Sequence, residues 1–314
     1  MSTSKRHILP PGTVVDGYTI QRAIGKGGFS LIYLATEQES GDNVIIKEYL
    51  PRRYARRDGA LQVSIIAETQ REALKRGREL FYQEAKVLAS LRHPNIVRVR
   101  NFFLANNTAY LVMDFTEGKN LGYYIRKRNG RLSTTLLLTV FPPILEALEL
   151  VHTQSLLHLD IKPGNIHLQP GGDPLLLDFG AVHRFATSRR QQHGHIVTTG
   201  YSPVEQYHRD GYVGPWSDVY AIGATMRACI EGKTPPSAIE RHAKDKMRPA
   251  ARLFRRRYPA YLLEAIDWAM EVDPTLRPQS AAWLRQALQS EKRPSEVKME
   301  LDSQASEGEE GAST

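Results

Sequence analysis

The sequence contains a single cysteine, Cys229, among its 314 residues. One thiol excludes an intramolecular disulfide and a zinc site made of several cysteines, and it is typical of a protein kept in a reducing compartment. The sequence also lacks a recognisable signal peptide and any apolar run long enough to cross a bilayer. We therefore expect a cytoplasmic protein without a membrane span.

Two common phosphate-binding signatures are also missing. No G-x-x-x-x-G-K-[ST] motif occurs, which excludes a P-loop. One glycine-rich turn is present, but it lies between two predicted strands, at 18–24 and 31–35, and this argues against a Rossmann dinucleotide site. Glycines in such a turn let the backbone approach a phosphate group closely. The turn consists of Gly25, Lys26, Gly27, Gly28, Phe29 and Ser30.

Acidic charge is scarce outside the C-terminus. The chain has a net charge of +8, yet the segment from Glu291 onwards contains seven acidic and three basic side chains. A basic body favours polyanionic partners such as a nucleotide, an acidic protein, an anionic membrane or a nucleic acid. Each basic cluster taken singly is more simply explained as a solvated face. The clusters lie within 52–57, 126–128 and 255–257.

Four polar residues in the middle of the chain have the types and the order that phosphoryl transfer from ATP to a hydroxyl requires. One carboxylate orients the attacking hydroxyl and accepts its proton, and a cation neutralises the moving phosphate. An amide oxygen and a second carboxylate hold magnesium. The residues able to take these roles, in that order, are Asp160, Lys162, Asn165 and Asp178.

Segments 158–165 and 178–180 resemble the catalytic loop and the magnesium-binding motif of the eukaryotic-like (Hanks-type) serine/threonine protein kinases, in particular the bacterial subgroup. The resemblance implies an α+β, bilobal protein-kinase fold, with a sheet-rich N-lobe, a mainly helical C-lobe and ATP with Mg²⁺ or Mn²⁺ between them. It implies transfer of the γ-phosphate to protein serine and threonine hydroxyls, including those of the kinase itself, in bacterial signalling. The implied segments are an N-lobe at 18–116 with an insertion at 48–80 and a C-lobe at 117–289. From the polar composition of the two ends we expect a loosely held lead-in at 1–17 and an acidic disordered tail at 290–314.

The resemblance assigns nucleotide binding to three parts of the N-lobe. The glycine-rich turn would hold the phosphates, with Ser30 in the place of the family's third glycine. Lys47 would bind the α- and β-phosphates and pair with Glu84, on a helix whose apolar face includes Leu80 and Phe81. The hinge residues, the first of them the gatekeeper, would be Met113, Asp114 and Thr116.

The resemblance also assigns the segment that receives the substrate. Thr198 and Gly200 would belong to it, and Thr198 would contact Asp160 and Lys162, as in serine/threonine kinases. The sites at which phosphorylation could occur are Thr187, Ser188, Thr198 and Thr199.

Three further matches are structural. Glu205 and Arg277 would form a buried ion pair, which is a strut and not part of the chemistry. Asp218 would be buried at the start of a helix for which Ser217 is a plausible N-cap. The region 120–154 is predicted to be mostly helical, with a kink or a new start at Pro142-Pro143, and a last helix is predicted at 280–289.

The sequence departs from the family pattern in two places. The polar segment that follows Gly180, up to about Val197, resembles the family's activation loop. Leu159 replaces the arginine that usually precedes the catalytic aspartate and pairs with phosphate on that loop. We therefore expect activity that does not depend on phosphorylation of that loop. The connection between Lys47 and Glu84 is unusually long and opens with Glu48-Tyr49-Leu50-Pro51, an E-Y-x-P insertion similar to one in some bacterial kinases.

Other functions remain open on the sequence alone. A pseudokinase that only scaffolds partners, a small-molecule kinase and a nucleic-acid binder would each retain some of these features. The retained catalytic residues favour an active protein kinase, with acidic proteins as possible substrates and a metal-dependent phosphatase as its expected opponent. The sequence does not indicate the oligomeric state.

Overall fold

The computed structural model describes residues 7–178, 183–184, 197–208, 211–290 and 296–297. The chain divides into two compact units, Met1–Glu117 and Gly118–Thr314. Unit 1 is rich in strands and unit 2 is mainly helical, which confirms the predicted α+β class.

The core of unit 1 is a six-stranded antiparallel sheet with the strand order β1-β2-β3-β4-β8-β7. Its strands are β1 (Val14–Val15), β2 (Tyr18–Lys26), β3 (Ser30–Glu37), β4 (Asn43–Tyr49), β7 (Val99–Ala105) and β8 (Thr108–Asp114). Strands β4 and β8 lie side by side in the middle of the sheet and are buried along almost their whole length. Strand β3 alternates buried and half-buried residues, as expected for a sheet with one covered face.

The long insertion after Lys47 is folded. It contains a two-stranded antiparallel hairpin, β5 (Ala55–Arg57) with β6 (Val63–Ile65), followed by a short 3₁₀ turn at Glu68–Gln70. Helix α1 (Arg71–Ser90) comes next, so the insertion also lengthens this helix at its N-terminal end.

Helix α1 packs against the sheet through Leu74, Ala85 and Leu88, which are buried. Phe81 also contacts the core of unit 1. Leu80, however, is 46% exposed, so the prediction that it belongs to the apolar face is wrong. Successive side chains of a helix point in directions about 100° apart. Because Phe81 faces the core, its neighbour Leu80 points away from it.

The N-terminal segment is more tightly held than we expected. Leu9 is fully buried, its N–H donates to the Tyr33 hydroxyl at 3.3 Å, and β1 pairs with β2. The expectation of a loosely held lead-in is therefore wrong for residues 7–17. One buried leucine stabilises a segment by about 1.5–3 kcal/mol, enough to hold it on the sheet.

Unit 2 is built around α3 (Thr134–Thr153), which packs against α8 and β12. The helix runs without interruption through Pro142 and Pro143, so of the two predicted alternatives, a kink or a new start, the new start is wrong. By length and composition α3 could cross a membrane. Nine of its residues are buried, however, as in a core helix, and its Glu149 pairs with Arg285.

The other helices of unit 2 are α2 (Leu121–Arg128), α4 (Pro215–Glu231), α5 (Ala238–Ala243), α6 (Ala250–Leu253), α7 (Ala260–Ala269) and α8 (Ala281–Gln289).

Short strand pairs in unit 2 flank the predicted catalytic loop. The loop follows β10 and ends where β11 begins, and β11 pairs with both β9 and β12. The strands are β9 (Lys119–Asn120), β10 (Leu156–Leu157), β11 (Ile166–Leu168), β12 (Pro174–Leu176) and β13 (His183–Arg184). Because both ends of the loop are anchored in strands, its side chains have a fixed frame.

Candidate active site

The glycine-rich turn connects β2 to β3 and is closed by a hydrogen bond from the Gly27 N–H to the Ser30 carbonyl at 2.8 Å. Gly27, Gly28 and Phe29 are exposed. An exposed backbone turn of this kind can present its N–H groups to an anion.

Lys47 lies on β4 and is 6% exposed. Glu84 lies on α1 and is partly buried, but no ion pair within 4.0 Å joins it to Lys47 in the described part of unit 1. Burial raises the pKa of Glu84 to about 8, and the positive charge of Lys47 opposes this only in part. The predicted pair is not formed in this structure, and burial therefore dominates the pKa of the Glu84 carboxyl.

The predicted hinge positions end β8. Met113 is 8% exposed and packs as a core residue. The carboxylate of Asp114 accepts from Arg100 at 2.5 Å, and Arg100 also contacts Glu37 and Asp42. The side chain of Asp114 is therefore engaged in a surface ion cluster, whereas Thr116 follows in irregular backbone.

The catalytic loop of unit 2 brings together the residues that the sequence predicts. Lys162 Nζ lies 2.8 and 2.7 Å from the two carboxylate oxygens of Asp160. Thr198 donates its hydroxyl to Asp160 at 2.6 Å and accepts from Lys162 at 3.2 Å, so the predicted contact of Thr198 with both residues is present. Asn165 donates to the Asp160 backbone carbonyl at 2.8 Å and to its carboxylate at 3.1 Å.

Asp160 is held in place by the backbone that precedes it. The carboxylate of Asp218 is fully buried and accepts from the N–H groups of His158 at 2.9 Å and Leu159 at 2.8 Å. Leu159 has a φ of +55°, a conformation that is strained for a residue with a side chain. The two hydrogen bonds to Asp218 stabilise this strained backbone directly beside Asp160.

The charge of Asp218 is itself stabilised. Burial raises the pKa of this carboxyl, but the hydrogen bond from His152 at 2.9 Å and the bond from the His158 N–H outweigh burial. The net effect is a pKa below the usual value, so Asp218 is ionised at neutral pH.

Sequence reasoning missed three residues that support the loop. Gln206 donates to the Leu159 carbonyl at 2.7 Å, and Ser202 accepts from the Thr198 N–H at 3.0 Å. His152 completes the environment of Asp218. Only Gln206 had a signal in the sequence, since it directly follows the predicted Glu205.

The predicted pair of Glu205 and Arg277 is present and buried, with N–O distances of 2.7 and 3.2 Å. Ser217 also donates to Glu205 at 2.8 Å. Ser217 is not the N-cap of α4, however, because the helix begins at Pro215 after Gly214. Ser217 is instead the third helical residue, and its hydroxyl accepts from the Gly214 N–H at 3.3 Å.

Gly200 is required at its position in the predicted substrate segment. Its φ is +85°, and an added Cβ would lie 2.4 Å from Thr234 Cγ2 and 2.6 Å from the Pro235 carbonyl. The segment thus packs closely on the chain before α5, and any larger residue would displace it.

The oxygen donors suit magnesium delivered together with a nucleotide. Both hydrogen bonds of the Asn165 amide use Nδ2, which leaves Oδ1 as the atom able to ligate a cation. In the described residues no cluster of three or more His, Cys, Asp or Glu side chains could hold a metal by itself. Mg²⁺ is commonly bound by one or two carboxylates together with substrate phosphates, so a pair such as Asn165 and Asp178 fits this mode.

Several predicted residues lie outside the described part of the chain: Phe179, Gly180, Thr187 and Ser188.

Comparisons with known proteins agree with this geometry. The family model described as protein kinase domain matches residues 18–291. The solved structure of PpkA-294 in its apo form superposes with a TM-score of 0.77 and 31% identity, covering 90% of this chain and 99% of that one. The chain therefore belongs to the protein kinase family.

Curated relatives include bacterial and plant kinases. The serine/threonine-protein kinase PknJ of Mycobacterium tuberculosis is 32% identical over 237 residues, which are 74% of this chain and 37% of PknJ. The CBL-interacting serine/threonine-protein kinase 16 of Arabidopsis thaliana is 28% identical over 229 residues, 70% of this chain and 45% of the relative. The chain thus matches less than half the length of each of these relatives.

Proposed function

We propose that this chain is an active serine/threonine protein kinase that transfers the γ-phosphate of ATP to protein hydroxyls, including its own. The observation that supports this most strongly is the contact of Thr198 with both Asp160 and Lys162. This contact supports the proposal that Thr198 belongs to the segment that receives the substrate and that Asp160 is the catalytic base. The names of the relatives, which are serine/threonine-protein kinases, agree with it.

The catalytic loop can perform the transfer with its own residues. Asp160 orients the substrate hydroxyl and accepts its proton as the oxygen forms a bond to the γ-phosphorus and the bond to the β-phosphate oxygen breaks. Lys162 neutralises charge on the phosphoryl group from its place against Asp160. The Asn165 hydrogen bonds fix the Asp160 carboxylate in one orientation, which is the kind of preorganisation that phosphoryl transfer needs.

Unit 1 would hold the nucleotide. Lys47 supplies a buried positive charge, the turn at 25–30 supplies backbone N–H groups, and residues 113–116 would contact the base. The Glu84 carboxyl, whose pKa is raised to about 8 by burial, would have to be ionised to pair with Lys47. Asn165 and Asp178 would hold magnesium or manganese, which would supply positive charge to the phosphates.

Activation-loop phosphorylation is proposed to be dispensable. Leu159 is 2% exposed and packs with Leu157 and Val213. A cation beside the catalytic aspartate is what a loop phosphate would bind, and this position is occupied by a core leucine.

The partners and the location are further parts of the proposal. The basic body of the chain supports acidic protein substrates. The family resemblance alone supports bacterial signalling and an opposing metal-dependent phosphatase. The one cysteine, Cys229, is a free, buried thiol, which agrees with a cytoplasmic protein.

The proposal is tested by following labelled γ-phosphate from MgATP. The acceptors are the protein itself, a generic acidic protein and a generic basic protein, and phosphoamino acids are then identified. We expect phosphoserine and phosphothreonine with wild type and none with Asp178→Ala. Nucleotide binding without transfer by wild type would support a scaffold instead, and transfer to metabolites alone would support a small-molecule kinase.

A further inference from the structure

The insertion after Lys47 reaches the glycine-rich turn. The Leu50 N–H donates to the Phe29 carbonyl at 2.8 Å, which continues the pairing of β3 with β4 beyond the sheet. Arg52 Nη2 donates to the Gly27 carbonyl at 2.7 Å. The turn is thus contacted by the insertion at two points, one of them at its tip.

The base of the insertion is fixed by a buried charge. Glu48 is fully buried, and its carboxylate accepts from Arg57, from the Tyr33 hydroxyl at 2.8 Å and from the Tyr110 hydroxyl at 2.7 Å. Arg57 belongs to β5 and also donates to the Leu61 carbonyl at 2.6 Å. The hairpin is therefore joined to the strand that contains Lys47 and cannot swing independently of it.

The far side of the hairpin is joined to the rest of unit 1. The Val63 N–H donates to the Asn106 carbonyl at 2.8 Å, and the Asn107 amide donates to the Val63 carbonyl at 2.8 Å. The hydroxyls of Tyr49 and Tyr54 lie 3.1 Å apart. Tyr49 also packs so closely on α1 that a Cβ at Gly77 would lie 1.9 Å from its hydroxyl oxygen. A support held on three sides can transmit rigidity to the turn that it contacts.

The glycine content of the turn explains why such support would matter for nucleotide binding. Glycine residues have more conformational freedom than any others, and a turn containing Gly25, Gly27 and Gly28 loses that freedom when it closes over phosphates. A guanidinium bonded to the tip restricts the turn before the nucleotide arrives, which reduces the entropy lost on binding.

We propose that Arg52 is a positioning residue that holds the glycine-rich turn in its nucleotide-binding conformation through the Gly27 carbonyl. The inference rests on the proposed function, since it assigns a nucleoside triphosphate to the turn. It gives the insertion a definite role: a brace between the Lys47 strand and the phosphate-binding backbone.

The test compares Arg52→Ala and Arg52→Lys with Arg53→Ala in the full chain. Arg53 is the matched control because it is the next residue, equally charged and exposed. We measure the Kd of a fluorescent ATP analogue with Mg²⁺, the KM for ATP and kcat. Arg52→Ala is expected to raise Kd and KM about three- to tenfold with little change in kcat, since one hydrogen bond of this kind is lost. Arg52→Lys should recover part of the affinity, and Arg53→Ala should match wild type.

Amide hydrogen exchange of the nucleotide-free proteins separates positioning from direct phosphate binding. A positioning role predicts faster exchange within 25–32 in Arg52→Ala and unchanged exchange in Arg53→Ala. A loss of affinity without that change would mean that Arg52 contacts the phosphates itself, and the positioning role would be wrong.

The two proposals can fail separately. If wild type binds nucleotide and Arg52→Ala binds it equally well, the role of Arg52 is excluded while the kinase proposal stands. If wild type binds nucleotide without transferring phosphate, the kinase proposal fails, and the Kd and exchange data still decide the role of Arg52. If wild type binds no nucleotide, both proposals are wrong.

Discussion

Two fully buried carboxylates, one in each unit, lie beside the proposed functional residues. Glu48 directly follows Lys47 on β4, and Asp218 holds the backbone just before Asp160. Each would be costly to bury without partners, and each has several. The partners differ in kind, and so does what each carboxylate organises.

Asp218 is satisfied mainly by backbone N–H groups and a histidine ring, so it shapes the main chain of the catalytic loop. Glu48 is satisfied by side chains, those of Arg57, Tyr33 and Tyr110, so it secures a whole inserted segment. One arrangement fixes a conformation of a few residues. The other fixes the position of a hairpin. A buried carboxylate can therefore act as a local clamp on the backbone, as Asp218 does, or as an anchor for an inserted segment, as Glu48 does.

Removing the cation from the anchor should have the largest effect. Arg57→Met leaves Glu48 buried without its charged partner, and we expect a loss of about 3–5 kcal/mol in the free energy of unfolding. Urea denaturation measures it, with Arg56→Met as the matched control on the exposed side of β5. Equal stability of the two variants would contradict the anchor.

Removing the charge from the clamp should have a smaller effect on stability and a specific effect on catalysis. Asp218→Asn replaces a carboxylate that accepts two backbone hydrogen bonds by an amide that cannot accept both. We expect a loss of about 2–3 kcal/mol in the free energy of unfolding.

Because the pKa of Asp218 lies below its usual value in the folded state, the contribution of its charge to stability is present near neutrality and is lost as the pH falls below about 4. The stability difference between wild type and variant should therefore shrink in acid. A constant difference from pH 7 to pH 3 would show that the charge is not what matters.

Glu84 sharpens the comparison because it is a partly buried carboxyl that makes no hydrogen bond or ion pair among the described residues, and its pKa is raised to about 8. A folded-state pKa above the unfolded value means that the stability of wild type falls with a measurable slope as the pH rises from about 4.5 towards 8. Glu84→Gln should abolish this slope in unfolding measurements from pH 5 to 8.5. It should also lower phosphate transfer, since glutamine cannot form the ion pair with Lys47. An unchanged slope would refute the raised pKa.

The smallest effect is expected from the loop phosphosites. A triple variant with Thr187, Ser188 and Thr199 changed to alanine should retain at least about half of the wild-type transfer rate, because Leu159 offers no cation to a phosphate. Initial rates with a protein substrate measure this. Abolished activity would mean that the loop is controlled by another route.

The motifs that recur in the family made much of unit 2 predictable. The order of Asp160, Lys162 and Asn165 implied their proximity, and the matches at Glu205 and Arg277 implied a pair that the structure contains. Those predictions depended on short segments whose local geometry is set by a few residues.

The features that sequence reasoning missed depend on long-range packing. The burial of Leu9 depends on the sheet, where its N–H donates to the distant Tyr33, and the outward side of Leu80 depends on which face of α1 packs against that sheet. The E-Y-x-P resemblance covers only residues 48–51 of the insertion, so nothing in the sequence marked Arg57 as the partner of Glu48 among the arginines of its cluster. The roles assigned to the site residues themselves stay predictions until transfer is measured.

The most direct measurement is a single turnover of MgATP by wild type and by Asp160→Asn, with nucleotide affinity measured on the same samples. Our account predicts that both proteins bind nucleotide with similar affinity and that the variant transfers phosphate at least about a hundredfold more slowly, since general-base contributions are of this order. Equal rates of transfer would contradict the central claim that the Asp160 site is where the chemistry takes place.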